Sequence, residues 1–201
     1  MKFLAARTFR REAVLASMGL PLPDVLKRLQ GRVALIGNAR SLCDRAYGDE
    51  IDAADLVVRI NRAPMPAVAS HGTRTEVLAL AVGIGAAALD ALDPSLTLWM
   101  SHKRKRLPWH VARRAGFVLP PVAGFDRLRV QLGAPPTTGL MMIDLLAQSA
   151  ATKVTLYGFD FFASRSLTGH RTAAQVPHDF DGERGVVQAL MARDARFTLR
   201  P

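Results

Sequence analysis

His178 and Glu183 stand five positions apart at the start of a stretch, Asp179 to Arg193, that reads as a helix. A histidine just ahead of a helix can serve as a general base near neutral pH. A carboxylate one turn into that helix could orient or charge-stabilise the imidazole or a neighbouring loop. His170, in Thr168-Gly169-His170, precedes the pair and could contact a leaving phosphate. Ile36-Gly37-Asn38 closes a short apolar run. Glycine there allows a sharp turn and close approach of a ligand, and asparagine adds a neutral donor and acceptor, which suits a nucleotide. In Arg59-Ile60-Asn61-Arg62-Ala63-Pro64, strand alternation puts Arg59 and Asn61 on one face, with Arg62 and Pro64 in the exit loop. Thr137, Thr138 and Gly139 open another helix, whose free N–H groups and positive dipole end make a carboxylate or phosphate site. Taken singly, each cluster also reads as an ordinary turn, strand end or cap.

Other chemistries find no support in the sequence. There is no GxGxxG fingerprint, no P-loop and no GxSxG elbow. HxH, HExxH and CxxC spacings are missing too, so no protein-built metal site is expected. His71 reads as a turn residue, and His102 and His110 flank the basic run Lys103-Arg104-Lys105-Arg106, which reads as a solvated face. Cys43 is the one cysteine, so no internal disulfide forms, and a small buried apolar role is expected for it.

These residues need a scaffold to hold them at strand and helix ends, and the hydrophobic pattern supplies one. Val33 to Ile36, Asp55 to Asn61, Thr75 to Ala81, Leu96 to Met100, Phe117 to Leu119, Lys153 to Phe159 and Arg196 to Leu199 read as strands. Ala86 to Leu92, His110 to Ala115, Thr137 to Ala150 and Asp179 to Arg193 read as helices, with Ser41 capping a short one after the first strand. Strands alternating with helices predict an α/β, Rossmann-like fold with a mainly parallel sheet flanked by helices. The long polar loop from Phe161 to Pro177 lies at a strand's carboxyl end, where such folds place function.

The chain has 201 residues, 49% hydrophobic and 22% charged, which predicts one globular domain, residues 31–201, behind a basic leader, residues 1–30. Leu20-Pro21-Leu22-Pro23 interrupts any helix in that leader. Arg7, Arg10, Arg11 and Glu12 rule out a signal peptide, and no apolar stretch is long enough to span a bilayer, so a soluble, cytoplasmic protein is expected. The net charge of +10 suits an anionic small ligand or a membrane surface touched by the leader. With aromatics at 6% and no nucleic-acid-binding signature, nucleic acid is not expected as a partner.

In order and spacing, the clusters together resemble a known family. VALIGNARSLCDRAYGDEIDAADLVVRINRAP resembles the large sialylmotif of the animal-type sialyltransferases, glycosyltransferase family 29, and PTTGLMMIDLLAQSAATKVTLYGFDFF resembles the small one. His178 and Glu183 match the very small motif, whereas Gly169-His170-Arg171 matches the remaining histidine-bearing motif poorly.

The resemblance spans roughly residues 32 to 199. It implies a GT-A-like variant of the Rossmann sheet and inverting, metal-independent transfer of sialic acid, or a related acidic sugar such as Kdo, from a CMP-activated donor to a glycan or glycolipid acceptor. By carry-over, Asn38 and Asn61 contact the nucleotide and its phosphate, Thr138 and Gly139 receive the donor sugar, His178 is the base and His170 sits near the departing phosphate. Gly37, Arg59, Thr137, Tyr157 and Gly158 are counted with the donor-binding residues, and Glu183 with the catalytic ones. No cofactor is implied. Secretory members of the family join the two main motifs by a disulfide, but Val33 and Ala151 stand at those positions here, which fits a reducing compartment. The alanine- and arginine-rich composition points to a bacterial source, to a polysaccharide precursor as acceptor and to placement in the cytoplasm or at the inner membrane. The alternatives are a bacterial family 42-like sialyltransferase, which shares the Gly-Asn turn, and a catalytically inactive module binding CMP or a glycan.

Overall fold

The runs Val57-Val58, Val77 to Leu80 and Leu96 to Trp99 are buried throughout in the computed structural model, as strands sandwiched between two helical layers must be. The structure describes residues 2–161, 167, 175 and 177–200. The strands are β1 (Gln30–Ile36), β2 (Leu56–Ile60), β3 (Val77–Leu80), β4 (Leu96–Trp99), β5 (Phe117–Val118), β6 (Ala150–Tyr157) and β7 (Phe197–Arg200). They form one sheet in the order β5-β4-β3-β2-β1-β6-β7, and each neighbouring pair is parallel. The expected α/β architecture is therefore present. From β1 the chain builds outward through β2 to β5, then crosses back to lay β6 on β1's other edge. The carboxyl ends of β1 and β6 thus flank a topological switch point, where open parallel sheets leave a crevice for ligands.

The helices are α1 (Lys2–Thr8), α2 (Glu12–Ala16), α3 (Leu22–Arg28), α4 (Gly48–Asp52), α5 (Val68–His71), α6 (Ala86–Leu92), α7 (Trp109–Ala112), α8 (Val122–Leu132), α9 (Thr138–Ala147) and α10 (Phe180–Arg193), with 3-10 turns at Arg40–Asp44 and Arg104–Arg106. The crossover helix α9 enters the core almost whole. Leu140, Met142, Ile143 and Leu146 are buried against the β1, β2 and β3 side chains Val33, Val58 and Val77. Each such side chain contributes about 1.5–3 kcal/mol, so the start of α9 is held firmly over the sheet. On the opposite face, Ile36, Val57 and Tyr157 pack on Leu42 and Ile51, while Leu78, Leu80 and Trp99 pack on Phe3, Ala6, Leu15 and Val111.

Several expectations need correction. Residues 1–30 are no separate leader: Phe3, Ala6, Leu15, Val25 and Leu29 are all buried in the two main cores. Pro23 stands in the first turn of α3, where its missing N–H costs nothing, so the prolines start a helix there. Ser41 caps no helix; the 3-10 turn follows Ala39, and the Ser41 hydroxyl donates to Asp160 at 3.2 Å. Cys43, on that turn, is exposed. Helix α8 had no counterpart in the sequence reading. Val33 and Ala151 lie on adjacent strands but are not opposite each other: Gly31 faces Ala151 and Val33 faces Val154.

Candidate functional site

Two glycines close the switch point. The Gly37 N–H donates to the Tyr157 carbonyl at 2.7 Å, and the Ala39 N–H to the Gly158 carbonyl at 3.2 Å. A Cβ on Gly37 would stand 2.2 Å from the Gly158 oxygen, so the two turns fit only without a side chain there. Gly158 itself has φ +66, the left-handed region that glycine adopts without strain. Just beyond it, the Phe159 ring lies between the turns, near enough that a Cβ on Gly37 would meet its Cδ2 at 3.1 Å and one on Gly139 its Cε1 at 2.7 Å. Asn38 is half-buried at the head of the turn, and its carbonyl accepts the Leu167 N–H at 2.8 Å.

Asn61 bridges β2 to helix α9. It takes φ +54, a conformation asparagine tolerates better than most residues, and this ends the strand alternation. Its Oδ1 accepts the Ala81 N–H at 3.0 Å and its Nδ2 donates to Thr138 Oγ1 at 3.2 Å. Thr137 is the N-cap of α9, its hydroxyl accepting the Leu140 N–H at 3.1 Å. The N–H groups of Thr138 and Gly139 have no partner among the described residues, leaving two donors at the positive end of the helix for an anion.

Glu183 and His178 meet the same helix start from α10. The buried Glu183 carboxylate accepts the Thr137 N–H at 2.6 Å and the Thr137 hydroxyl at 2.7 Å. Burial pushes its carboxyl up to about 7, against the opposing pull of the two Thr137 hydrogen bonds. His178 Nδ1 lies 2.7 Å from the Pro135 carbonyl. A carbonyl only accepts, so Nδ1 carries a proton, and in the neutral form of the ring the lone pair lies on Nε2. Asp179 caps α10, accepting the Gly182 N–H. His178 and Glu183 thus hold two ends of one tripeptide, Pro135 to Thr137.

The structure therefore brings Gly37, Asn38, Asn61, Thr137, Thr138, Gly139, Gly158, His178 and Glu183 to one end of the sheet. Three assignments change. Arg59 is 1% exposed and lies on the opposite face of β2 from Asn61's partner; its guanidinium donates to the carbonyls of His71 and Arg74 and to the Thr75 hydroxyl, which makes it the brace of that loop. Tyr157 points to the face opposite α9, buried among Ile36, Leu42 and Ile51 with its ring 5.5 Å from Tyr47. Glu183 does not meet the imidazole; its partner is Thr137, so it positions the helix start. His170 lies outside the described residues. Pro135 and Phe159 were missed: one acts through a backbone carbonyl and the other by shape, and neither leaves a signature in residue type. Arg40 and Arg62, in the loops after β1 and β2, are exposed and carry no ion pair among the described residues, so an anionic ligand could meet them. No three His, Cys, Asp or Glu residues converge to hold a metal among the described residues.

A parallel sheet with glycine turns at its switch point, an asparagine tied to a capped helix start and a histidine just ahead of α10 together frame a ligand crevice at one end of a Rossmann-like sheet. The profile of Glycosyltransferase family 29 (sialyltransferase) matches residues 21–93. A mouse (Mus musculus) CMP-N-acetylneuraminate-beta-galactosamide-alpha-2,3-sialyltransferase 1 is 46% identical over 56 residues, which is 26% of this chain and 17% of the mouse protein. The match thus spans about a sixth of that relative's length. A mammalian sialyltransferase solved in complex with Gal-beta-1-3GalNAc-ortho-nitrophenol shares the fold at a TM-score of 0.65 and 20% identity, covering 90% of this chain and 73% of that one. The sialyltransferase CstII from Campylobacter jejuni, in complex with cytidine-5'-monophosphate, aligns at a TM-score of 0.58 and 12% identity, over 84% of this chain and 79% of that one.

Proposed function

We propose that this protein transfers sialic acid, or a related acidic sugar, from a CMP-activated donor to a hydroxyl of a glycan or glycolipid, with inversion and without a metal. One observation carries the reading: His178 is anchored through Nδ1 on Pro135, in the segment that leads directly into the helix start where Thr138 and Gly139 present unpartnered N–H groups beside Asn61. The donor's phosphate would meet Asn38 and Asn61, and its sugar carboxylate the start of α9. The acceptor O–H proton passes to His178 Nε2 as the hydroxyl oxygen bonds the anomeric carbon. The bond from that carbon to the phosphate oxygen breaks on the opposite side, and CMP leaves with the electron pair. The transition state is oxocarbenium-like, as in glycosyl transfer generally. The family 29 match over residues 21–93 supports this over the family 42 alternative.

Calorimetry with CMP tests the donor class, and loss of saturable binding overturns it. Turnover of CMP-sialic acid by the native chain and by His178→Ala separates an enzyme from an inactive binding module: the variant is expected to bind CMP and to turn over far more slowly. Turnover that survives EDTA unchanged is expected, and its loss would bring a metal back into the mechanism. On this reading the enzyme works in a reducing compartment, since Val33 and Ala151 stand where the family's disulfide would be.

A further inference from the structure

Helices α1 and α2 pack on the segment that runs from the 3-10 turn at Arg104–Arg106 into α7. The Phe3 and Trp109 rings are 5.0 Å apart, Arg7 donates to the Leu107 carbonyl at 3.3 Å, and the buried Arg104 guanidinium ion-pairs with Glu12. The two segments, 2–16 and 103–113, are distant in sequence but form one surface at the β4–β5 edge, several strands from the switch point. Together they hold nine lysines and arginines and a single acid, Glu12. That acid is spent on Arg104, while Lys2, Arg10, Arg11, Lys105, Arg106 and Arg113 are exposed with no ion pair among the described residues. On the neighbouring α6, Asp90 and Asp93 are held by Arg114.

Large apolar groups stand exposed among these cations: Phe9 at 70%, Leu4 at 57% and Trp109 at 51%. Solvated positive charge alone would not need them, and exposed apolar groups rimmed by charge mark a contact surface. Stems and rings that reach the acyl boundary while guanidinium and ammonium heads meet anionic headgroups match how proteins lie on a bilayer. A tryptophan with one polar edge is suited to that boundary. A nucleic acid would satisfy the charge and leave Leu4 and Phe9 in water. We propose that this face docks on an anionic lipid surface, with Phe9, Leu4 and Trp109 entering the headgroup region and the surrounding cations meeting lipid phosphates. The inference does not depend on the donor chemistry.

The test is sedimentation of the full chain with phosphatidylcholine vesicles, with and without phosphatidylglycerol, followed by tryptophan emission. The expected result is binding to the anionic vesicles alone, reversed by high salt. The chain has two tryptophans, and Trp99 is fully buried, so a change on binding reports Trp109. Its emission should shift to shorter wavelength and be quenched by brominated acyl chains, and Trp109→Phe should remove that signal. Arg10→Gln with Arg11→Gln, both exposed, should weaken partitioning on the order of 30-fold with an unchanged melting temperature. Absence of vesicle binding, equal binding to neutral vesicles, or binding to vesicles and RNA alike with Trp109 emission unmoved would each overturn the proposal, the last by showing a general polyanion site.

Discussion

On the proposed reading His178 is the base, and its ring is oriented by the Nδ1 contact to the Pro135 carbonyl and by the neighbouring Phe180 ring. His178→Ala should lower transfer by about 10²–10⁴-fold, the usual worth of a general base, and leave CMP binding unchanged in calorimetry. Loss of both together would instead make it a structural residue. Glu183 acts one bond further away, through Thr137. Its folded-state carboxyl titrates at about 7, above the ordinary glutamate value. A carboxyl with a raised folded pKa keeps its proton in the native state while the unfolded chain releases it. Native stability should therefore fall as pH climbs from about 4.5 to 7 and level off above, by roughly 3 kcal/mol at most. Glu183→Gln keeps one oxygen to accept the Thr137 N–H, turns its amide N–H toward the Thr137 hydroxyl as a donor, and removes the titration. Urea unfolding at pH 5 and pH 8.5 should show a pH-dependent loss in the native chain that is absent in the variant, and identical losses in both would assign the titration to other groups.

At the scale of elements, the two glycine turns make different demands on what faces them. A Cβ on Gly37 meets a backbone oxygen, which cannot move without shifting β6; a Cβ on Gly139 meets the edge of the Phe159 ring, which can. Gly37→Ala should therefore cost about 2–3 kcal/mol, whereas Gly139→Ala, which also gains helix propensity, should cost less than about 1 kcal/mol. Phe159→Leu should relieve Gly139→Ala and do nothing for Gly37→Ala, and denaturant unfolding of the three single and two double variants decides it. The same contrast explains how much was legible in the sequence. Strands β1 to β4 and β6 and helix α9 stand out as apolar runs because both strand faces or nearly the whole helix are buried, and α10 stands out by its capped start. Helix α8 escapes because Phe125 and Leu128 are its buried side chains and Val130 is exposed, too narrow a stripe to see beside Pro120, Pro121 and Gly124. The Arg59 assignment failed at one residue: alternation predicts a shared face with Asn61, and the positive φ of Asn61 breaks it. Glycine turns, cap and His178 were readable as residue types, but the links that join them run through the Pro135 carbonyl, the Thr137 hydroxyl and the shape of Phe159.

For the whole molecule, the N-terminal segment closes one edge of the sheet. Arg104 is 2% exposed, and its guanidinium is held by the carbonyls of Trp99, Ser101 and Pro120 and by Glu12, its one counter-charge in the structure described. Those carbonyls sit where β4 leaves the sheet and where α8 is about to begin, so one cation ties α2 to the core beneath it. A buried cation left without its partner is far more costly than a buried pair replaced by apolar groups. Glu12→Ala should therefore destabilise the protein by about 3 kcal/mol, somewhat less if water reaches the half-exposed carboxylate site. Glu12→Ala with Arg104→Met should recover part of that loss, the remainder being the cost of the Trp99, Ser101 and Pro120 carbonyls that lose their donor. Removal of residues 1–18 should cost more than Glu12→Ala, because it also strips Phe3, Ala6 and Leu15 from the core formed with Leu107, Val111 and Phe117. Chemical denaturation of the three variants orders them. A truncated chain as stable as the native one would show that residues 1–18 merely rest on a finished domain, and a double variant no better than Glu12→Ala would show that the ion pair itself does not carry the tie.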